Sequence, residues 1–258
     1  PLLIVFRSVL SYISGRVFVL VLAAGAFQAL YYASLAAAYR REDMSIVYPV
    51  ARATPALLAP LFALAAGRAD TISLQALSGM VCVVAGAYVL PMRDRHDHSL
   101  IKYATPAYLF ALCAAVGTTG YSIVDDHALS VIRGISAQSS PRIPIVYLFL
   151  EALSSAWWLG LVVACRRADR RTFATIVRTR RRDVSNAALM GVGIYLTYGL
   201  VLASMEFARD VSYVVAFRQL GIPLGVLLSC TLLGERLTVP KIIGSVIMTA
   251  GVVLVGTG

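Results

Sequence analysis

Residues 44–90 read MSIVYPVARATPALLAPLFALAAGRADTISLQALSGMVCVVAGAYVL. Two apolar runs flank the polar turn GRADTIS at 67–73. A helix crossing about 30 Å of hydrocarbon needs about 20 apolar residues at 1.5 Å each, and each run comes close to that length. The turn has the chemistry of a helix boundary. Ser73 is placed to cap the following run, and Asp70 reads as a turn residue before any role in substrate chemistry. The stretch is thus a pair of membrane spans joined by a short link.

Outward from it the same grammar recurs along the chain. Apolar runs are expected to span 17–38, 44–66, 72–91, 104–126, 143–165, 184–206, 211–233 and 239–257, with residues 1–6 the end of an earlier span. Of the 258 residues, 59% are hydrophobic and 14% charged, with a mean hydropathy of +0.78. Soluble domains carry about 45–50% apolar and about 25% charged residues, so a soluble globular fold is excluded. The fold class is an all-α membrane protein, with eight complete transmembrane helices.

The net charge of +10 does not point to nucleic acid. The basic residues gather in the links, most densely in RRADRRTFATIVRTRRRD at 166–183, and no aromatic-interleaved basic surface accompanies them. That link reads as a headgroup-facing loop, or more sharply as a site for anionic lipid or a partner. Cys82, Cys113, Cys165 and Cys230 show no CxxC spacing and no nearby His, so they read as small hydrophobes. RDRHDH at 93–98 has metal-ligand residue types, but alternating charge in a link is better read as a solvated loop. With neither HExxH nor a Ser/His/Asp spacing in the spans, no enzyme activity, metal or cofactor is expected.

A second stretch, VSYVVAFRQLGIPLGVLLSCTLLGERLTVPKIIGSVIMTAGVVLVGT at 211–257, repeats the first in outline. Each has an Arg early in a span (Arg52, Arg218), then Pro and small residues, an acidic turn with Ser or Thr (Asp70/Ser73, Glu235/Thr238), and a Gly-rich span from Gly79 or Gly244. Thr238 is placed to cap the last helix, with Pro240 in its first turn. The two Arg lie 166 residues apart, and five spans separate one copy from the other. The second copy must then enter the bilayer from the opposite side, the signature of an inverted-topology repeat. The first repeat is assigned to 1–91 and the second to 104–258. The second holds five spans and the first only three plus a stub, and the chain opens on Pro1 rather than Met. The expectation is therefore a ten-helix protein whose N-terminal helices are missing here.

These phrases resemble the drug/metabolite transporter superfamily, in particular EamA-type ten-helix carriers. GERLTVPKIIGSVIMTAGVVLV at 234–255 is similar to that family's Gly-Glu turn and Gly-rich last helix, with Ala69-Asp70 in the Gly-Glu place of the first repeat and a turn two residues longer. Tyr48-Pro49-Val50-Ala51-Arg52 resembles the phrase opening the fourth helix in one branch, Arg218-Gln219 a pair in the ninth, and Tyr121 to Asp125 a Tyr-x-x-x-Asp in the sixth. Two departures are Ala128, where that branch usually has Gly, and Gln219, where it has an acid. The resemblance implies a multi-pass carrier of the bacterial inner membrane, with export of amino acids or related metabolites.

Charge inside the bilayer selects the candidate residues, since one ionisable side chain at mid-helix costs about 2.5–3.5 kcal/mol on insertion scales. Arg52 and Arg218 occupy matching places and are expected to face a polar cavity. Their helices are interrupted by Pro49, Pro55 and Pro60 in one copy and by Gly221, Pro223 and Gly225 in the other, as at midplane sites of transporters. Tyr48, Pro49, Tyr121, Tyr213 and Gln219 complete the expected substrate path. Asp125 and Glu151 are expected to pair with the arginines or carry a coupling proton. Tyr121, four residues before Asp125, is expected on the same helix face, within hydrogen-bonding reach of its carboxyl. Trp157-Trp158 and Gly191-x-Gly193 read as packing features. A secondary transporter that moves small organic metabolites or drugs by alternating access is the expected function, with a transport-inactive membrane scaffold or sensor of the same fold as the alternative. Orientation is left in conflict: loop charge, 15 Lys+Arg on the side of 166–183 against 6 on the other, puts that side in the cytoplasm, whereas the family arrangement puts it outside.

Overall fold

The computed structural model describes residues 13–42, 44–90, 105–136, 142–179, 181–232, 234 and 237–258. The stub at 1–6, the RDRHDH link and Glu235 lie outside them. The described residues form eleven α-helices: α1 Gly15–Tyr39, α2 Met44–Ala53, α3 Pro55–Ala65, α4 Leu74–Val89, α5 Pro106–Ser136, α6 Arg142–Cys165, α7 Arg167–Thr179, α8 Arg181–Ser204, α9 Val211–Phe217, α10 Gly221–Leu232 and α11 Val239–Thr257. Short 3-10 turns occupy Ala69–Thr71 and Arg218–Leu220, and no strand is found among the described residues.

Each expected span falls on a helix or on a helix pair broken in the middle. Seven stretches are long and apolar enough to cross a membrane: α1, α2–α3 over 47–65, α5, α6, α8, α9–α10 over 211–232, and α11. By the length and composition of its helices the chain is a multi-pass membrane protein. The expected span at 72–91 forms only the 16 residues of α4. At about 24 Å it is shorter than a typical hydrocarbon core. The two interruptions have local causes. Thr54 separates α2 from α3, its Oγ1 donating to the Val50 carbonyl at 2.6 Å, and Pro55 opens α3. Arg218–Leu220 tightens into 3-10 geometry before Gly221.

The link at 166–183 is corrected from loop to helix. Residues 167–179 form α7, bracketed by α6 and α8.

The chain divides into two compact units. The first comprises 1–29 and 120–207, the second 30–119 and 208–258. They are packing units rather than the sequence halves 1–91 and 104–258, and the matched segments 44–90 and 211–257 fall together in the second. In that unit α4 and α11 meet along a glycine seam. A Cβ at Gly79 would lie 2.6 Å from the Gly251 carbonyl oxygen, and one at Gly86 would lie 2.7 Å from that of Gly244. Residue number rises along one helix as it falls along the other, so the pair is antiparallel. In sequence Gly79 matches Gly244 and Gly86 matches Gly251, so each glycine touches the counterpart of the other, as in a two-fold contact.

Met80, Val83, Met248, Val252 and Val255 are buried around this seam, and Tyr48 and Tyr213 pack against it. The helix ends also correspond. Gly67 at φ 77° and Gly234 at φ 66° each take the left-handed conformation that follows a helix and suits glycine. Ser73 caps α4 by accepting from Ala76 N at 3.0 Å, whereas Thr238 has the backbone of a cap but makes no side-chain capping bond.

In the first unit, small residues let helices close on one another. A Cβ at Gly25 of α1 would overlap Ser154 of α6, and one at Gly120 of α5 would overlap Phe27. Trp158 Nε1 donates to the Leu22 carbonyl at 3.0 Å, fixing α6 against α1, and its ring meets Trp157 edge-on.

Candidate functional site

The sequence-predicted residues fall into two groups. Tyr121, Asp125 and Glu151 lie in the first unit, and Tyr48, Pro49, Arg52, Tyr213, Arg218 and Gln219 in the second.

In the first unit the two acids are fully enclosed, each 0% exposed. Asp125 sits on α5, where helical spacing puts Tyr121 and Ser122 on its side of the helix. Its Oδ1 accepts from the Tyr147 hydroxyl of α6 at 2.7 Å, and its Oδ2 from the Tyr198 hydroxyl of α8. Glu151, one turn after Tyr147, accepts at Oε1 from Gln28 Nε2 of α1 at 2.8 Å. Four helices therefore supply the cluster. The Tyr121 ring meets that of Tyr198 edge-on, centroids 5.6 Å apart at 86°. Ser122 and Ser154 add buried hydroxyls whose Oγ atoms have no hydrogen-bond partner among the described residues. Such orphan groups are rare in finished interiors and mark places suited to water or a polar ligand.

Tyr147, Gln28 and the Ser122 and Ser154 hydroxyls were not singled out from sequence. One signal for Tyr147 was present: Tyr147-x-x-x-Glu151 repeats the spacing of Tyr121-x-x-x-Asp125 on the next helix.

In the second unit Pro49 and Arg52 lie on α2 and Arg218 and Gln219 in the 3-10 turn between α9 and α10. Both arginines are half-buried. The Arg52 guanidinium, with the Tyr31 and Tyr48 hydroxyls, lies within electrostatic reach of Tyr39. Gln219 is 2% exposed. Its Nε2 donates to the Val215 carbonyl at 2.8 Å, while its Oε1 is buried with no partner among the described residues. Tyr213 lies in the first turn of α9, where its hydroxyl accepts from Ser73 N at 3.3 Å. Beside it Asp210 caps α9 through Ser212 N and meets Arg68 Nη1 at 3.5 Å, pinning the 67–73 turn to the start of α9.

The chemistry available is that of polar, hydrogen-bonded groups inside an apolar bundle. The Asp125 carboxyl, which accepts from two tyrosine hydroxyls, can take up a proton when one of those hydroxyls turns away, and two half-buried guanidinium groups can balance an anionic group. Among the described residues no cluster of His, Cys, Asp and Glu is arranged to hold a metal. The chain matches no protein-family model, no curated protein and no solved structure.

Proposed function

We propose that the protein is a secondary transporter of the EamA type, an inverted-repeat carrier that moves a small organic metabolite across the bacterial inner membrane by alternating access. The supporting observation is the pair of fully enclosed carboxyls, Asp125 and Glu151, on membrane-spanning helices. A buried acid in a bilayer carries a cost that membrane proteins bear chiefly where ions, protons or substrates move. Asp125, cradled between Tyr147 and Tyr198, is the coupling carboxyl in this reading, and Glu151 with Gln28 extends the polar path. In the second unit Arg52 and Arg218 supply positive charge for a substrate carboxylate, and the open Oε1 of Gln219 is an acceptor for a substrate N–H or O–H. The reciprocal glycine contacts of α4 and α11 support the inverted relation of the two repeats.

The test uses proteoliposomes loaded with a pH-sensitive dye and presented with a panel of radiolabelled amino acids under an imposed proton gradient. The wild type accumulates at least one of them with coupled proton movement. Asp125→Asn loses gradient-driven accumulation and keeps exchange without a gradient. Accumulation unchanged in Asp125→Asn removes that residue from coupling, and no flux of any compound by the wild type favours the scaffold alternative.

A further inference from the structure

α7 is a 13-residue helix with no buried residue, set between two membrane-spanning helices. Only Arg166 separates it from α6 and only Arg180 from α8, so both its ends are tied at one surface of the bilayer. At about 20 Å and with Arg at six of its positions or flanks (Arg166, Arg167, Arg170, Arg171, Arg178, Arg180), it neither spans nor sinks. Its side chains sort by angle. At 3.6 residues per turn, Phe173, Ile176 and Val177 share one sector of about 100°, which Asp169 enters in the first turn of the helix; Arg167, Arg170, Arg171 and Arg178 fill the adjoining sector, and Thr172, Thr175 and Thr179 take the remaining side. The three apolar side chains are all exposed, Phe173 by 61%. The threonines at 172 and 175 donate back to carbonyls of their own helix, at Ala168 and Arg171, and need no outside partner.

We propose that α7 is an interfacial helix that docks on anionic phospholipid. Its apolar edge enters the acyl boundary and its basic flank lies at the level of the lipid phosphates. Three features point to lipid rather than to a soluble anion. The ends of α7 hold it at the bilayer surface, its apolar residues are exposed on one edge, and the arginines adjoin that edge, where headgroups would be met. The proposal rests on the membrane reading of the fold and not on transport.

The experiment titrates the full purified chain with phosphatidylglycerol or phosphatidylcholine and counts bound lipids by native mass spectrometry. The wild type prefers phosphatidylglycerol. Arg167→Gln/Arg171→Gln/Arg178→Gln weakens that lipid by roughly fivefold per arginine, about two orders of magnitude together, and leaves phosphatidylcholine unchanged. Replacement by Lys at the same three positions retains the preference, which separates lost charge from misfolding. Inorganic phosphate at millimolar concentration leaves lipid binding intact. In nanodiscs, Phe173→Trp adds emission that is quenched more by shallow than by deep nitroxide-labelled lipid. Equal phosphatidylglycerol affinity in wild type and the Gln triple variant, full displacement by inorganic phosphate, or no added quenching at position 173 would each overturn the proposal.

Discussion

At the scale of single residues, Asp125 concentrates the consequences. Its two oxygens take hydroxyls from helices 22 and 73 residues away in sequence, so the carboxyl depends on tertiary structure for its partners. Hydrogen bonds to charged groups contribute about 1.5–3 kcal/mol in soluble proteins but average about 0.6 kcal/mol between membrane helices. Tyr147→Phe is accordingly expected to lower unfolding stability in mixed micelles by about 0.5–2 kcal/mol, and to lower it less when Asp125→Asn is already present. Additive losses in that double-mutant cycle would separate the hydroxyl from the carboxylate energetically. The acids themselves were legible in the sequence, because a carboxyl in an apolar run stands out by its insertion cost. Tyr121 is the local candidate one turn away, and the packing of α6 and α8 adds the hydroxyls of Tyr147 and Tyr198 at Asp125, partners that spacing on one helix could not give.

At the scale of elements, the seam between α4 and α11 depends on four glycines. A methyl at Gly79 or Gly251 would press on backbone, which cannot swing aside as a side chain can. Overpacking of this kind costs about 1–3 kcal/mol. Gly86→Ala and Gly251→Ala should each lower the melting temperature of the detergent-solubilised protein. Gly191→Ala and Gly193→Ala on α8, where an added Cβ meets nothing within 4 Å, should leave it unchanged or raise it slightly through helix propensity. A drop confined to the α8 variants would contradict the seam. Hydropathy located the seven stretches of span length, because an apolar run of that length is a strong signal on its own, whereas the expected span at 72–91 forms only the 16-residue α4. It passed over α7, where arginines on one flank dilute a three-residue apolar edge below the level that reads as a helix. The first break falls at the flagged Pro55, which has no N–H to continue the ladder, whereas the second lies in the 3-10 turn at Arg218–Leu220, just ahead of the flagged Gly221.

For the whole molecule, the antiparallel pairing of α4 and α11 has a topological consequence. The start of α4 lies beside the end of α11, where Gly258 comes against Ser73 and Ala76. The starts of the two helices therefore belong on opposite faces of the membrane. Leu74, 83% exposed, and Leu237, 54% exposed, stand at those two starts. In a background with the four cysteines replaced, Leu74→Cys and Leu237→Cys should react with a membrane-impermeant maleimide from opposite sides of oriented vesicles. Labelling of both from one side would defeat the inverted arrangement. The same experiment reads which side bears 166–183, which loop charge and family resemblance assign differently.

The glycine seam also sets a mechanical condition. Two helices that meet backbone to backbone at glycines leave little room for sliding, and close-packed interiors transmit displacement rather than absorb it. α4 and α11 therefore travel together as a keel through any working cycle. Bending is expected where the helices are already interrupted, at Pro55, which has no N–H to donate, between α2 and α3, and at Arg218–Leu220 between α9 and α10. These are the places where the two candidate arginines sit, so a flexing stroke would re-aim both guanidinium groups while the keel stays fixed.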